Sequence, residues 1–361
     1  ERNEVCKFHE AAKAVDDFII SNLSQIYIPI TRVELWDDDE SKKNRRLAIY
    51  ATLMEVLKTL DILIHPLCPF TSEYLYQTVF DGKKSILLDK WPQYQETLVN
   101  EEIEESFDIM KDIVSISSAA RMKGKLKRRW PLNEALICVG KDQKQKLESL
   151  SSLLMSQLNV EKFTIFEVKK EPGLEQILEL KQLELPVKSV VELERKRIGP
   201  KAKQHMGKLV NAFSETNKEE IITHLQKEGQ YNYEIDGEKI SLDKEDFVID
   251  FDASEEFALS KRDNYIVFIS TSRNKEMMAR GLIKDIARRL QTLRKERGYN
   301  PTDILNVASV LDLDEESLEM IKERSEDLAF LVRVKQVNFI ESCKEYKDDD
   351  IDGQKIRISV E

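Results

Sequence analysis

The chain has 361 residues and a net charge of -11 at pH 7; 41% of its residues are hydrophobic and 34% charged. That length exceeds one ordinary core and predicts two or three domains, while the scarcity of Gly (11) and Pro (9) favours long helices over an all-β fold. No apolar run is long enough to span a bilayer, and the four cysteines (Cys6, Cys68, Cys138, Cys343) form no CxxC or Cys/His cluster, so a membrane partner, a zinc site and a disulfide framework are not expected. Free thiols fit a cytoplasmic setting. The first residue, Glu1, already falls in a helical pattern, which predicts a piece of a longer protein.

In chain order, Val5, Phe8, Ala12, Val15, Phe18, Leu23 and Ile26 recur at helical spacing and predict one helix over 4–35, kinked at Pro29. The acidic Asp37-Asp-Asp-Glu-Ser41 reads as a turn. A second helix is predicted over 44–65, with Leu47, Tyr50, Met54, Leu57, Leu60 and Ile64 inward. Pro66 and Pro69 should stop it, and Thr71 or Ser72 should cap a third helix over 73–79. His65, alone in an apolar setting, reads as a buried and satisfied histidine. A fourth helix, 100–123, starts acidic and ends basic, as the helix dipole favours, and Gly124 should terminate it.

After Leu132 the period changes. Strand 135–139, helix 142–158 and strand 162–168 make a small βαβ unit. A strand at 189–195 follows, then a turn at Gly199-Pro200 and helices over 201–213 and 217–228. Asp236-Gly237 predicts a tight hairpin. Strands at 247–251, 257–259 and 265–269 lead to a long helix over 273–297. Its apolar stripe is Ala279, Leu282, Ile283, Ile286, Leu290 and Leu293. A second stripe, Arg280, Lys284, Arg288, Gln291 and Lys295, should face away from the core. The end reads β, α, β over 303–311, 315–326 and 330–340, with a last strand at 354–360. The fold class is α+β: an N-terminal antiparallel helical bundle followed by small α/β modules with mixed sheets. The expected domains are 1–133, 134–185 and 186–361.

Between Arg121 and Arg129 six of nine residues are basic and none is acidic. Such density repels itself unless an anion lies between the charges, and a nucleic-acid backbone is the commonest one. Trp130 offers a face for an unstacked base, or else a core anchor for the next segment. A second basic cluster, Lys196 to Lys203, precedes His205. Nothing in the sequence carries a reaction. Phosphate-binding Gly loops, H-E-x-x-H and G-x-S-x-G are absent, and the histidines are scattered. A binding module is expected, with no catalytic residue of its own.

The succession Phe8-His-Glu-Ala-Ala12, Ile49-Tyr-Ala-Thr-Leu-Met54, Leu63-Ile-His-Pro-Leu-Cys-Pro-Phe-Thr-Ser-Glu-Tyr-Leu-Tyr76, Asp89-Lys-Trp-Pro92 and Ser118-Ala-Ala-Arg121 through Arg129-Trp-Pro-Leu132 resembles the anticodon-binding helical domain of the class I synthetases for isoleucine, valine and leucine. Ile198-Gly-Pro-Lys201 and Gly281 to Asp303 look like the C-terminal junction region of the isoleucyl-tRNA synthetase family, in its archaeal and eukaryotic-type branch. The family's two catalytic signatures and its editing domain have no counterpart here. The resemblance implies a monomeric piece that grasps the anticodon stem-loop of isoleucine tRNA, while ATP and Mg act on absent catalytic segments and no cofactor is held here. It places Arg32 at a basic position after the first long helix. The expected RNA-binding residues are Arg32, Arg121, Lys123, Lys125, Lys127, Arg128, Arg129, Trp130, Lys201, Lys203, Arg280, Lys284, Arg288 and Lys295. Valyl or leucyl specificity, or a basic patch docking an acidic protein, are the alternatives.

Overall fold

The computed structural model describes residues 7–35, 39–80, 84–169, 172–351 and 353–361. Residues 4–6 of the first expected helix, Cys6 and Asp37-Asp38 lie outside them. The chain forms two compact units, Glu1–Glu105 and Ser106–Glu361. The architecture is α+β, with helices first and small mixed sheets after them. No helix among the described residues is long and apolar enough to cross a membrane.

In the first unit α1 (Phe8–Asp17) runs into a π-helical stretch, Phe18–Tyr27, and then α2 (Ile28–Leu35). The winding changes immediately before Pro29. Proline lacks an N–H and its ring clashes with the carbonyl four residues back in an α-helix, so a wider turn relieves both. Next come α3 (Lys43–Ile64) and α4 (Pro69–Val79). Pro69 therefore begins α4 instead of stopping its predecessor, because the first helical position needs no N–H donor. Ser72 is no cap. It is buried, donates to the Cys68 carbonyl (3.0 Å) and lies 2.8 Å from His65 Nδ1, which satisfies that histidine. α3 carries two apolar stripes. Ile49, Leu53 and Val56 are buried or half-buried, as are Leu60 and Ile64 of the expected inward set, whereas Leu47, Tyr50, Met54 and Leu57 of that set are exposed.

α5 (Glu101–Lys123) buries Met110, Ile113, Ile116, Ser117 and Ala120. In the second unit it leads to β1 (Leu132–Val139), α6 (Lys141–Ser149), α7 (Ser151–Leu158) and β2 (Val160–Glu167). Then follow α8 (Leu174–Gln182), β3 (Val187–Leu193), α9 (Arg195–Ala202), α10 (Met206–Glu215) and α11 (Lys218–Glu228). Gly199 and Pro200 thus lie inside α9 and mark no turn. The hairpin β4 (Gln230–Ile235) and β5 (Glu238–Asp243) turns on Asp236 and Gly237, both at positive φ, as a two-residue type I′ connection demands. β6 (Phe247–Ala253) pairs with β3. β7 (Phe257–Arg262) and β8 (Tyr265–Ser270) precede α12 (Lys275–Glu296), β9 (Leu305–Leu311), α13 (Glu315–Lys322) and α14 (Ser325–Val332). β10 (Val334–Asn338), β11 (Lys347–Ile351) and β12 (Gln354–Val360) finish the chain.

Two four-stranded sheets share one topology. Their orders are β2-β1-β8-β7 and β10-β9-β12-β11. In each, a helix precedes the central strand, two short helices cross to a parallel neighbour, and an antiparallel hairpin closes the other side. The first sheet crosses the boundary expected at 185/186, because β1 pairs with β8 at Ala135↔Ile269 and Ile137↔Val267. Residues 174–251 form a layer over one face of that sheet, with Leu136, Cys138, Ile266 and Phe268 in one core with Ile177, Leu209 and Leu225. In the second module the corresponding strands carry Ser309 and Ser359, both fully buried, and Ser309 meets Ser342.

Among the described residues of the first unit, Asp61 is an electrostatic liability. Asp61 on α3 is 3% exposed, and neither carboxylate oxygen has a hydrogen-bond partner. Burial raises its pKa above the ordinary carboxylate value, against the pull of His65. A raised folded pKa makes the wild type lose stability as pH climbs through the carboxylate range. Asp61→Asn should therefore stabilise the protein by about 1 kcal/mol at pH 7, with the gain shrinking toward pH 4. Urea denaturation at the two pH values measures this; a loss at pH 7, or a gain independent of pH, contradicts it.

Candidate nucleic-acid interface

The basic run folds as the C-terminal stop of α5. Leu126 N–H donates to Arg121 O (2.8 Å) and Lys125 N–H to Met122 O (3.1 Å), the paired bonds of a Schellman ending. The left-handed residue is Lys125 (φ 54°), not Gly124. Gly124 is needed for space: a Cβ there would stand 3.0 Å from the Ala258 Cβ. The turn is then tied by Arg121, which is 4% exposed. Its Nη1 donates to Lys127 O (3.1 Å) and Trp130 O (2.9 Å), and its Nη2 to Leu158 O (2.8 Å) and Asn159 O (3.2 Å). Burial pushes its pKa down to about 10, so it stays charged near neutrality. Arg121 is thus an internal clamp and no RNA contact, because its fork is spent on carbonyls.

The second module repeats the device. Arg294, 5% exposed, donates to Asn300 O (3.1 Å), Asp303 O (2.7 Å), Arg333 O (3.1 Å) and Val332 O. The offsets to the following turn are the same, six and nine residues, for both arginines. Left-handed residues sit at matching places, Lys125 with Gly298 and Asn159 with Arg333. Even the following strands align, Leu132-Asn133-Glu134-Ala135 with Leu305-Asn306-Val307-Ala308.

Asp285, fully buried on α12, docks the first turn onto the second module. It accepts from Lys127 Nζ (3.2 Å) and Trp130 Nε1 (3.1 Å), and Arg129 Nη2 stands 2.7 Å from its Oδ1. Trp130 packs on Gly281, where a Cβ would come within 2.9 Å of the indole. Arg273 covers the ring at 3.9 Å and Lys127 lies 4.8 Å from its centre. Trp130 is therefore a packing anchor, and no face is left as the platform for a base. Lys127 and Arg129 neutralise an internal carboxylate.

The remaining expected residues divide as follows. Lys123, Lys125 and Arg128 are exposed on the turn. Arg280 pairs with Glu161, and half-buried Lys284 donates to Asn159 Oδ1 (3.3 Å). This side of α12 therefore touches the first module and does not simply face solvent. Arg288 and Lys295 are exposed farther along the helix. Lys201 lies elsewhere in the second unit, paired with Asp243 (2.9 Å) and Asp246, and Arg197 pairs with Glu245. His205 lies 3.1 Å from Asp236 and 3.4 Å from Glu238. The second basic cluster thus meets carboxylates of its own hairpin and the turn after it; Lys203, at φ 43°, is exposed beside it. Arg32 is exposed on α2 in the first unit. Asn159, Glu161 and Arg273 were not readable as site residues. Asp285 left one signal, a lone acid in the middle of the basic stretch of α12. Among the described residues no group of three or more His, Cys, Asp or Glu is placed to hold a metal.

Removing the docking carboxylate leaves two cations and an indole N–H without their shared acceptor. Asp285→Ala should cost about 3–5 kcal/mol in urea denaturation, and a cost under about 1 kcal/mol would refute the docking role. Lys125→Gly relieves a left-handed side chain and should stabilise the chain by about 1 kcal/mol, while Gly124→Ala should destabilise it. Exchanging the signs of those two effects would place the turn's strain at the wrong residue.

Residues 2–136 match the family model described as the anticodon-binding domain of tRNA ligase. The chain as a whole is similar to isoleucine--tRNA ligases. That of Pyrococcus furiosus is 28% identical over 344 residues, 92% of this chain and 29% of its own length. That of Methanothrix thermoacetophila is 28% identical over 370 residues, 98% of this chain and 32% of its own length. That of Bacteroides fragilis is 27% identical over 300 residues, 81% of this chain and 25% of its own length. The chain spans about a third or less of these relatives. Residues 2–136 are thus similar to the anticodon-binding domain of tRNA ligases, and most of the chain is similar to one part of isoleucine--tRNA ligases.

Proposed function

We propose that the chain binds the anticodon stem and loop of isoleucine tRNA, as the RNA-grasping portion of an ATP-dependent isoleucine–tRNA ligase of the cytoplasm. The observation that carries this reading is the junction built by Asp285. It brings the basic turn of the first module against α12 of the second, two segments about 155 residues apart in the chain. Asn159 links the Arg128 carbonyl to Lys284 of α12, which supports a reading in which Lys123, Lys125 and Arg128 of the turn and Arg280, Lys284 and Arg288 of α12 serve one RNA site. On a chain of net charge -11, such a local surplus directs an anionic partner to that place.

Binding of this kind needs no reacting group. Lys and Arg contacts to phosphates set the register of the RNA, and contacts to splayed bases read it. Because Trp130 is packed, base reading falls to other side chains. ATP and Mg act outside this chain in this reading.

Binding to isoleucine, valine and leucine tRNAs across a salt series tests the proposal. Isoleucine tRNA should bind most tightly, with a steep salt slope. The triple variant Lys123→Ala/Lys125→Ala/Arg128→Ala should flatten that slope by about 2–3 and weaken binding, each lost phosphate contact removing about 0.7–0.9. Lys201→Ala, which breaks only internal pairs, should leave the slope unchanged. Equal binding of all three tRNAs and of unrelated RNA would defeat the specificity, and an unchanged slope in the triple variant would defeat the placement.

A further inference from the structure

Lys284 differs from its charged neighbours. Arg280 has Glu161, Lys127 and Arg129 have Asp285, and Arg289 has Asp349 at 3.2 Å. Lys284 is half-buried, and its partner is a neutral amide oxygen, Asn159 Oδ1 at 3.3 Å. Burial makes its protonation harder, and the nearby Arg280 and Arg121 add to this, while Glu161, already paired with Arg280, opposes them. An ammonium group partly withdrawn from water beside two guanidinium groups, bonded to a neutral oxygen while Glu161 is paired with Arg280, is a favourable seat for an anion.

Asn159 organises the spot. Its Nδ2 donates to Arg128 O (3.3 Å), its Oδ1 accepts from Lys284, and its own carbonyl accepts from Arg121. One amide therefore ties the backbone of the turn's exposed arginine to the lysine of α12. The left-handed backbone does not by itself require asparagine, because Arg333 adopts the same conformation at the matching place in the second module. The side chain is used for the bridge.

We propose that Lys284, set by Asn159 and flanked by Arg128 and Arg280, seats a single phosphate group. The ligand chemistry is a phosphodiester or phosphate anion. The proposal rests on the RNA-binding reading for its physiological source, the tRNA backbone, and it specifies which cation takes a phosphate in a partly dehydrated position. It also predicts opposite signs for stability and binding. A lysine with a purely structural role loses stability on removal. Here removal relieves an uncompensated charge.

The test uses the whole chain and two probes, isoleucine tRNA transcript and inorganic phosphate. Lys284→Met keeps the aliphatic stem and removes the charge; Lys284→Arg keeps the charge. Lys284→Met should raise the melting temperature in phosphate-free buffer, weaken tRNA binding about tenfold and flatten its salt slope by about one. Lys284→Arg should retain most of the affinity. Phosphate at tens of millimolar should raise the melting temperature of the wild type and not that of Lys284→Met. If tRNA binds the wild type and Lys284→Met with equal affinity and slope, the seat is wrong while the tRNA reading stands. If the wild type does not bind tRNA but phosphate protects it through Lys284, the seat stands with free phosphate as its source and the tRNA reading falls. A lower melting temperature for Lys284→Met with no phosphate dependence in the wild type makes Lys284 structural and overturns the seat.

Discussion

A buried guanidinium that gathers four backbone carbonyls is the interaction on which this structure depends. Helix ends leave carbonyls without partners, and strand entries add more. Arg121 resolves both at once, tying the turn after α5 to the chain just before β2. It is charged, planar and rigid, so one side chain can direct donors to two segments. Lysine offers no such fork. The cost of burying that charge is offset by the hydrogen bonds, and every one of them also fixes the path of the backbone. A turn crowded with like charges is thereby held in one shape.

The same clamp at Arg294 explains why the two modules have one topology. In both, the arginine near the helix end grips the loop before the central strand and the left-handed residue before its parallel neighbour. What differs is what the modules do with the result. The first turn is basic and docks on Asp285 and Gly281. The second, Lys295 to Asp303, is mixed in charge, and its Asp303 caps the turn itself through Asn300 N–H (2.7 Å). One scaffold thus supports a cationic turn in one copy and a neutral one in the other. The large layer over 174–251 covers the apolar face of the first sheet, while the second sheet carries buried serines closed by its own loop.

Much of this was legible beforehand, for physical reasons. α5 and α12 showed long helical periods, β1, β2, β8 and β9 showed apolar runs between turn residues, and Asp236-Gly237 permits little but a tight hairpin. Three things were not legible. The pairing of β1 with β8 spans some 130 residues, and local pattern carries no information about such a partner. The direction of each basic side chain depends on buried acceptors elsewhere in the chain, so Arg121, Lys127, Arg129 and Lys201 all read as free cations. Trp130 fitted a packing anchor and a base platform equally well until Gly281 was seen beneath it. The useful hint was Asp285: a single acid inside a basic helical stretch is often the acceptor around which the cations are arranged.

In the proposed mode of binding, the turn 121–130 and the ridge 280–288 face the RNA together. Hydrogen–deuterium exchange of the chain, with and without isoleucine tRNA, tests it most directly. Amides of 123–130, 159–161 and 280–288 should gain protection together, at one tRNA concentration. Protection confined to 195–208 and its hairpin, or to the turn without the ridge, would contradict it.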